Sequence, residues 1–182
     1  MLTLTQKFLD RAAQRLIAPI LALLALGVPN MANAEANAAP PVGYQIYCLR
    51  NPEQCQGGGA SAVRATQASL QEIARVNSAV NHAIRPRSDS GADVWSAGTG
   101  EGDCEDYVLT KRQELIARGY PPSALRIAYV KTRSGEGHAV LVVRTDQGDL
   151  TLDNLSGSVR KLTSTGYNVV SMSGSDPLVW NR

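Results

Sequence analysis

Cys104 sits in the run Gly102-Asp103-Cys104-Glu105-Asp106-Tyr107; His138 opens a later strand-like apolar run and Asp153 closes the next. A thiol becomes a nucleophile only when a base takes its proton and a third group orients that base. A cysteine at a helix start, followed by a histidine and a carboxylate, is therefore a constellation for covalent thiol chemistry on a carbonyl. Of the two histidines, His82 falls inside an amphipathic helical pattern and reads as a surface residue. His138 follows a glycine-flanked turn, begins a strand, and is the expected base.

These groups need elements to hold them. A helix should begin at Asp103 or Cys104 and run to Arg118, with Val108, Leu109, Leu115 and Ile116 inward, Lys111, Arg112 and Arg118 in its later turns, and Gly119 as the stop. Cys104 then lies in the first turn, where unpaired N–H groups and the positive end of the helix dipole favour a thiolate and the oxyanion formed on attack. The Cys104 amide is the natural oxyanion donor. An earlier helix is expected over residues 61–84, with Val63, Leu70, Ile73, Val80 and Ile84 on one face, and residues 85–102 read as a long loop feeding the cysteine. Trp95 and Trp180 read as core anchors, Trp95 being close enough to the cysteine to line a cleft as well.

Downstream the period changes to two. Strands are expected over residues 125–132, 138–145, 149–153, 158–162 and 167–171, joined by short Gly or Asp turns. The fold class is thus α+β, an antiparallel β-sheet packed against helices with the nucleophile at a helix N-terminus. In the central hairpin, a two-residue Gln147-Gly148 loop sets Asp153 opposite Val142, an offset of about 13 Å along the strand from His138. Spacing alone therefore leaves Asp149, Asn154 or a water-mediated contact as rivals for the third role.

Asp103, Glu105 and Asp106 would each oppose a neighbouring thiolate unless something positive compensates them. Local grammar reads them as a capping Asp followed by dipole-compensating acids. The functional alternative is a hard cation held by carboxylate oxygens, Ca²⁺ being the natural choice, although no EF-hand pattern is present.

The chain has 182 residues, 43% of them hydrophobic and 19% charged, which suits one globular domain with a real core. Lys7, Arg11 and Arg15 precede an apolar run from Leu16 to Val28 and then Ala32-Asn33-Ala34, the pattern of a secretory signal peptide over residues 1–34. Residues 35–42 read as an Ala-, Asn- and Pro-rich linker, and 43–182 as the domain, with no membrane span once the leader is removed. The formal charge of +2 belongs to the leader, and the neutral remainder argues against broad binding to nucleic acid or an anionic membrane. Export also suits Cys48 and Cys55, which bracket a turn-forming Asn51-Pro52 step. A disulfide there would stabilise the fold by about 2 to 3 kcal/mol, the alternative being two reduced buried cysteines.

The blocks Gly102-Asp-Cys-Glu-Asp-Tyr107, Gly137-His138-Ala139-Val140-Leu141 and Leu152-Asp153-Asn154 together resemble the bacterial transglutaminase-like cysteine proteinases, whose best-known members are the LapG-type periplasmic proteases. The resemblance implies a papain/transglutaminase-like fold, with Cys104 as nucleophile, His138 as base and later acid, and Asp153 as the group orienting the imidazole. It implies Ca²⁺ beside the nucleophile, with Asp103 and Glu105 as ligands, and periplasmic hydrolysis of a protein through a thioester. It further implies a surface adhesin as substrate, a role in biofilm control, and an inner-membrane cyclic di-GMP receptor as regulator. Two other functions use the same residues: a transglutaminase-type acyl transferase delivering the thioester to an amine, and a non-enzymatic calcium-binding module.

Overall fold

The computed structural model describes residues 37–182, and the leader expected over residues 1–34 lies outside them. Strand β1 (Asn37–Ala38) leads into helix α1 (Val42–Arg50) and a 3-10 turn, Pro52–Cys55. Pro41 precedes the helix at the N-cap position, where its missing N–H costs nothing. Tyr44 and Tyr47 bury the inner face of α1, Tyr44 packing against Trp95 and Trp180 with ring centroids 5.5 and 5.8 Å away. Cys48 and Cys55 are disulfide-bonded, their Cα atoms 5.5 Å apart. Within the segment expected to be a linker, Asn37 and Ala38 pair with Asn181 and Trp180 near the C-terminal end, and Val42 begins the helix.

Helix α2 (Gln67–Ala83) starts later than hydrophobic spacing suggests. Thr66 and Ser69 form a reciprocal capping box, the Ser69 amide donating to Thr66 Oγ1 at 3.1 Å and the Thr66 amide to Ser69 Oγ at 2.9 Å. The cap overrides the periodicity, and Val63 instead forms an isolated bridge with Thr145. β2 (Arg85–Pro86) and β3 (Glu101–Gly102) then pair in parallel, closing the long loop at its base. Helix α3 (Cys104–Ala117) follows, starting where the sequence predicts.

The remaining strands are β4 (Leu125–Lys131), β5 (Gly137–Thr145), β6 (Gly148–Leu152), β7 (Arg160–Lys161), β8 (Asn168–Ser173) and β9 (Trp180–Asn181). With β1 they form a seven-stranded antiparallel sheet in the order β1-β9-β8-β4-β5-β6-β7. Alternation sends Leu125, Ile127, Ala139, Leu141 and Val143 into the main core with Ile73, Val76 and Val80 of α2 and Val108 and Leu115 of α3. Ala128, Val130, Val140 and Val142 face the other way, under Leu162, Tyr167 and Met172.

Two basic residues of α3 are not where a solvated last turn would put them. Lys111 is fully buried, its Nζ 5.7 Å from the centre of the Tyr107 ring. Arg112 is also buried and donates to the carbonyls of Gln54 and Gln56, tying α3 to the disulfide-bonded turn.

Candidate active site

Asp103 is the N-cap of α3 and Cys104 its first residue. Asp106, one turn on, accepts the Asp103 amide at 3.2 Å and the Ser96 amide at 2.8 Å, fixing both the helix start and the loop before it. A Cβ at position 102 would collide with the Asp106 carboxylate, so the Gly-Asp-Cys order has a steric origin. Burial pushes the Asp106 carboxyl up to about 6, against the lowering effect of those two amides.

Cys104 is the free cysteine among the described residues. Its thiol lies 2.9 Å from Glu105 Oε2, so in this arrangement it is bonded to a carboxyl rather than to the imidazole. Burial raises the thiol, and the Glu105 hydrogen bond and charge and the Asp103 charge add to the rise; the Ala139 amide acts in the opposite direction. Glu105 is raised too, by burial and then by its contact with Asp93, with Asp103 contributing.

The hairpin that carries His138 and leads to Asp153 differs by one residue from the expected turn. Thr145 pairs with Gly148, so the turn residues are Asp146 and Gln147, and Gly148 follows at φ +113°. Asp146 holds the turn there, its amide donating to Val63 O at 3.0 Å and its carboxylate accepting the Ala65 amide at 2.8 Å. Leu152 then pairs with Leu141, and Asp153, next along, falls level with Val140 rather than Val142. The offset from His138 halves to two residues, about 7 Å along a strand, on the same face of the sheet.

That diagonal is within side-chain reach. His138 Nε2 and Asp153 Oδ1 are 2.9 Å apart, with both residues almost wholly buried. Asp153 Oδ1 also accepts the Leu155 amide at 2.9 Å, and Oδ2 accepts the Tyr167 hydroxyl at 2.6 Å. Burial alone would raise this carboxyl, but the hydrogen bonds from His138, Tyr167 and Leu155 outweigh it and hold it below the usual carboxylate range. Of the rivals, Asp149 pairs with Arg144 at 3.1 Å, and Asn154 Oδ1 is buried without a hydrogen-bond partner.

Cys104 and His138 line one open cleft of about 460 Å³, walled by Ala39 and Pro41 from the N-terminal segment, Trp95 from the long loop, and Tyr129, Ala139 and Ser171 from the sheet. Trp95 is thus both core anchor and cleft wall; its indole N–H donates to Asp93 at 2.9 Å. His82 is exposed and bonds the carbonyl of Ser78, as a surface residue would.

The donor chemistry at the helix start suits a hard cation. Asp103 Oδ1 is buried without a hydrogen-bond partner, and Asp93, Asp103 and Glu105 bring carboxyls against one another. Among the described residues, no three acidic, His or Cys side chains are preassembled as a metal cage. The residues therefore fit Ca²⁺ by donor type and unmet need.

Sequence reasoning passed over three contributors. Asp93 lies in an irregular segment with no periodicity to expose it, and Tyr167 opens a run expected as a strand, whose alternation does not say which residue the hydroxyl meets. Asn81 donates to the carbonyl of Asp153 at 2.8 Å and so fixes the backbone of that residue. Its signal was present: Asn77 and Asn81, four residues apart, put amides where α2 otherwise buries Ile73 and Val80.

A family model described as bacterial transglutaminase-like cysteine proteinase matches residues 34–182. Solved structures of LapG from Legionella pneumophila share the fold. The calcium-bound form and a second form of LapG each superpose with a TM-score of 0.55 at 25% identity, covering 65% of this chain and 71% of theirs. An EGTA-treated form superposes with a TM-score of 0.52 at 25% identity, covering 65% of this chain and 69% of that one. A search among curated proteins found no significant match.

Proposed function

The chain belongs to the bacterial transglutaminase-like cysteine proteinases and is a cysteine protease, and we propose that it is a calcium-dependent periplasmic endopeptidase using Cys104, His138 and Asp153. The observation that carries this reading is the buried His138–Asp153 hydrogen bond behind a cleft that His138 and Cys104 both line, Cys104 being at a helix N-terminus.

With Nε2 committed to Asp153, the other ring nitrogen of His138 is the one free to take the thiol proton. The Cys104 sulfur then bonds to the carbonyl carbon of the scissile peptide, and the negative oxygen forms beside the first amides of α3. As the C–N bond breaks, imidazolium gives its proton to the leaving amine and a thioester remains. Water attacks the thioester while His138 takes its proton, and the sulfur leaves as thiolate, reprotonated from imidazolium. Asp153 holds the imidazole in place and balances its positive charge throughout.

Calcium, when bound by Asp103 and Glu105 with Asp93 beside them, would supply the positive charge that offsets the carboxylates opposing a Cys104 thiolate. The existence of calcium-bound and EGTA-treated forms of Legionella LapG supports that role. The Cys48–Cys55 disulfide supports an oxidising compartment such as the periplasm. On the family's precedent the substrate is a surface adhesin and the regulator an inner-membrane cyclic di-GMP receptor.

The test is to incubate the mature protein with peptides derived from surface proteins and label the new N-termini for mass spectrometry, in Ca²⁺ and in EGTA. Cleavage lost in EGTA and in Cys104→Ala is the expected result. Cleavage retained by Cys104→Ala would overturn the reading, and incorporation of an added amine in place of new N-termini would reassign the protein as an acyl transferase.

A further inference from the structure

We propose that Tyr167 is a positioning residue of this site, its hydroxyl clamping the second oxygen of Asp153 so that the first stays aimed at His138. The inference rests on the Cys104–His138–Asp153 reading above.

A carboxylate turns easily about its Cβ–Cγ bond unless both oxygens are held. Asp153 Oδ1 takes two donors, His138 Nε2 and the Leu155 amide, both at 2.9 Å, and neither fixes Oδ2. Asp153 is only 2% exposed, so Oδ2 depends on protein for its partner. That partner is Tyr167, whose hydroxyl donates at 2.6 Å, a short hydrogen bond of the charge-assisted kind. The same ring stands edge-on to the imidazole, with centroids 5.7 Å apart and planes at 79°. One side chain thus clamps the carboxylate and walls the imidazole that the carboxylate orients.

The placement is built into the chain. Tyr167 directly precedes β8, its amide donating to Thr165 Oγ1 at 3.1 Å, while that hydroxyl donates to Leu162 O at 2.8 Å. This turn fixes Tyr167 against the sheet face that carries Val140 and Val142, the face shared by His138. Packing there would be served equally by phenylalanine; only the hydroxyl meets Asp153. Burial and the adjacent carboxylate push the phenol up to about 12, so it remains a donor throughout the physiological range.

The test is Tyr167→Phe, which keeps the ring and removes the hydroxyl, read in saturating CaCl₂ by three measurements beside a thermal melt. Alkylation of Cys104 by iodoacetamide at pH 7 should slow by about 10-fold, the range expected when a hydrogen bond to a charged group is lost. The His138 Nε2–H proton should move upfield in the NMR spectrum and exchange faster. Assignment is direct because the chain has two histidines and His82→Gln removes the other. The double variant Asp153→Ala/Tyr167→Phe should be no slower than Asp153→Ala alone, since the clamp acts only through the carboxylate. A Tyr167→Phe protein with the parent rate and resonance, beside a slow His138→Ala, would reduce Tyr167 to packing and overturn the proposal while leaving the triad intact. Additive losses in the double variant would also overturn it. If His138→Ala alkylates at the parent rate, the triad reading fails and this inference falls with it.

Discussion

Replacing Asp153 by asparagine separates the charge of the third residue from its geometry. The Leu155 amide is an obligate donor to the Oδ1 position, so an acceptor must occupy that position in the variant as well. The asparagine carbonyl therefore takes the place of Oδ1, facing His138 Nε2, and its NH₂ takes the place of Oδ2, beside the Tyr167 oxygen. A phenol oxygen can accept as well as donate, so this rotation keeps the hydrogen bond to Nε2–H and preserves the tautomer. What disappears is the negative charge facing the imidazolium. Two unit charges about 4 Å apart interact by about 4 kcal/mol at an effective dielectric constant near 20, equivalent to about 10³-fold. Asp153→Ala also removes the hydrogen bond and leaves buried donors unmatched, adding about 1.5 to 3 kcal/mol and a further loss of at least about 10-fold. The assay is iodoacetamide alkylation of Cys104 at pH 7 in Ca²⁺, followed by mass spectrometry. Asparagine is expected to be slow and alanine slower. Equal loss in the two variants would refute the argument from donor geometry, and parent-like rates in both would remove Asp153 from the site.

Other consequences follow from buried groups. Burial lowers Lys111 to about 7 despite the nearby Asp153 charge, whereas the unfolded side chain titrates near 10.4. Between those values the unfolded chain binds more protons than the folded one, so this residue makes stability rise with pH from about 7 to 10, by about 2 to 3 kcal/mol between pH 7 and 9. Lys111→Met should accordingly raise the melting temperature most at pH 7 or below and flatten its rise towards pH 9; an unchanged slope in thermal melts would refute the assignment. Asp103→Asn and Glu105→Gln should each weaken Ca²⁺ binding by at least about 10-fold in titrations followed by Trp95 emission, because that indole is bonded to Asp93 in the same acidic cluster. Parent-like titrations would place the cation elsewhere. Cys48→Ala/Cys55→Ala should lower stability by about 2 to 3 kcal/mol, or roughly 5 to 10 °C, as measured by differential scanning calorimetry. A negligible shift would mean that Arg112 and the α1 aromatics hold the turn without the bond.

How legible each part was depends on how far its cause extends along the chain. The start of α3 could be read directly, since a capping acid, a first-turn cysteine and a stopping glycine act over a few residues. The alternation in β4, β5 and β6 was equally local and gave the antiparallel sheet. The start of α2 was missed because a Thr66–Ser69 cap competes with apolar spacing, and the cap is the stronger local restraint. The burial of Lys111 and Arg112 was invisible, since it depends on the Tyr107 ring and on carbonyls in a turn more than fifty residues away.

The sequence by itself determined the chemistry on offer: a thiol at a helix start, acids around it, one strand-borne histidine, and Asp149 and Asp153 as carboxylates on the neighbouring strand. Tertiary structure decided which carboxylate the histidine meets. Asp146, held by Val63 and Ala65 from a distant segment, moves the turn by one residue and brings Asp153 within 2.9 Å of His138. Tertiary structure also decided that Tyr167 completes the Asp153 carboxylate and that Trp95 walls the cleft. Strand alternation is a property of each residue and its neighbours, whereas register and cleft walls arise from contacts between segments far apart in the chain.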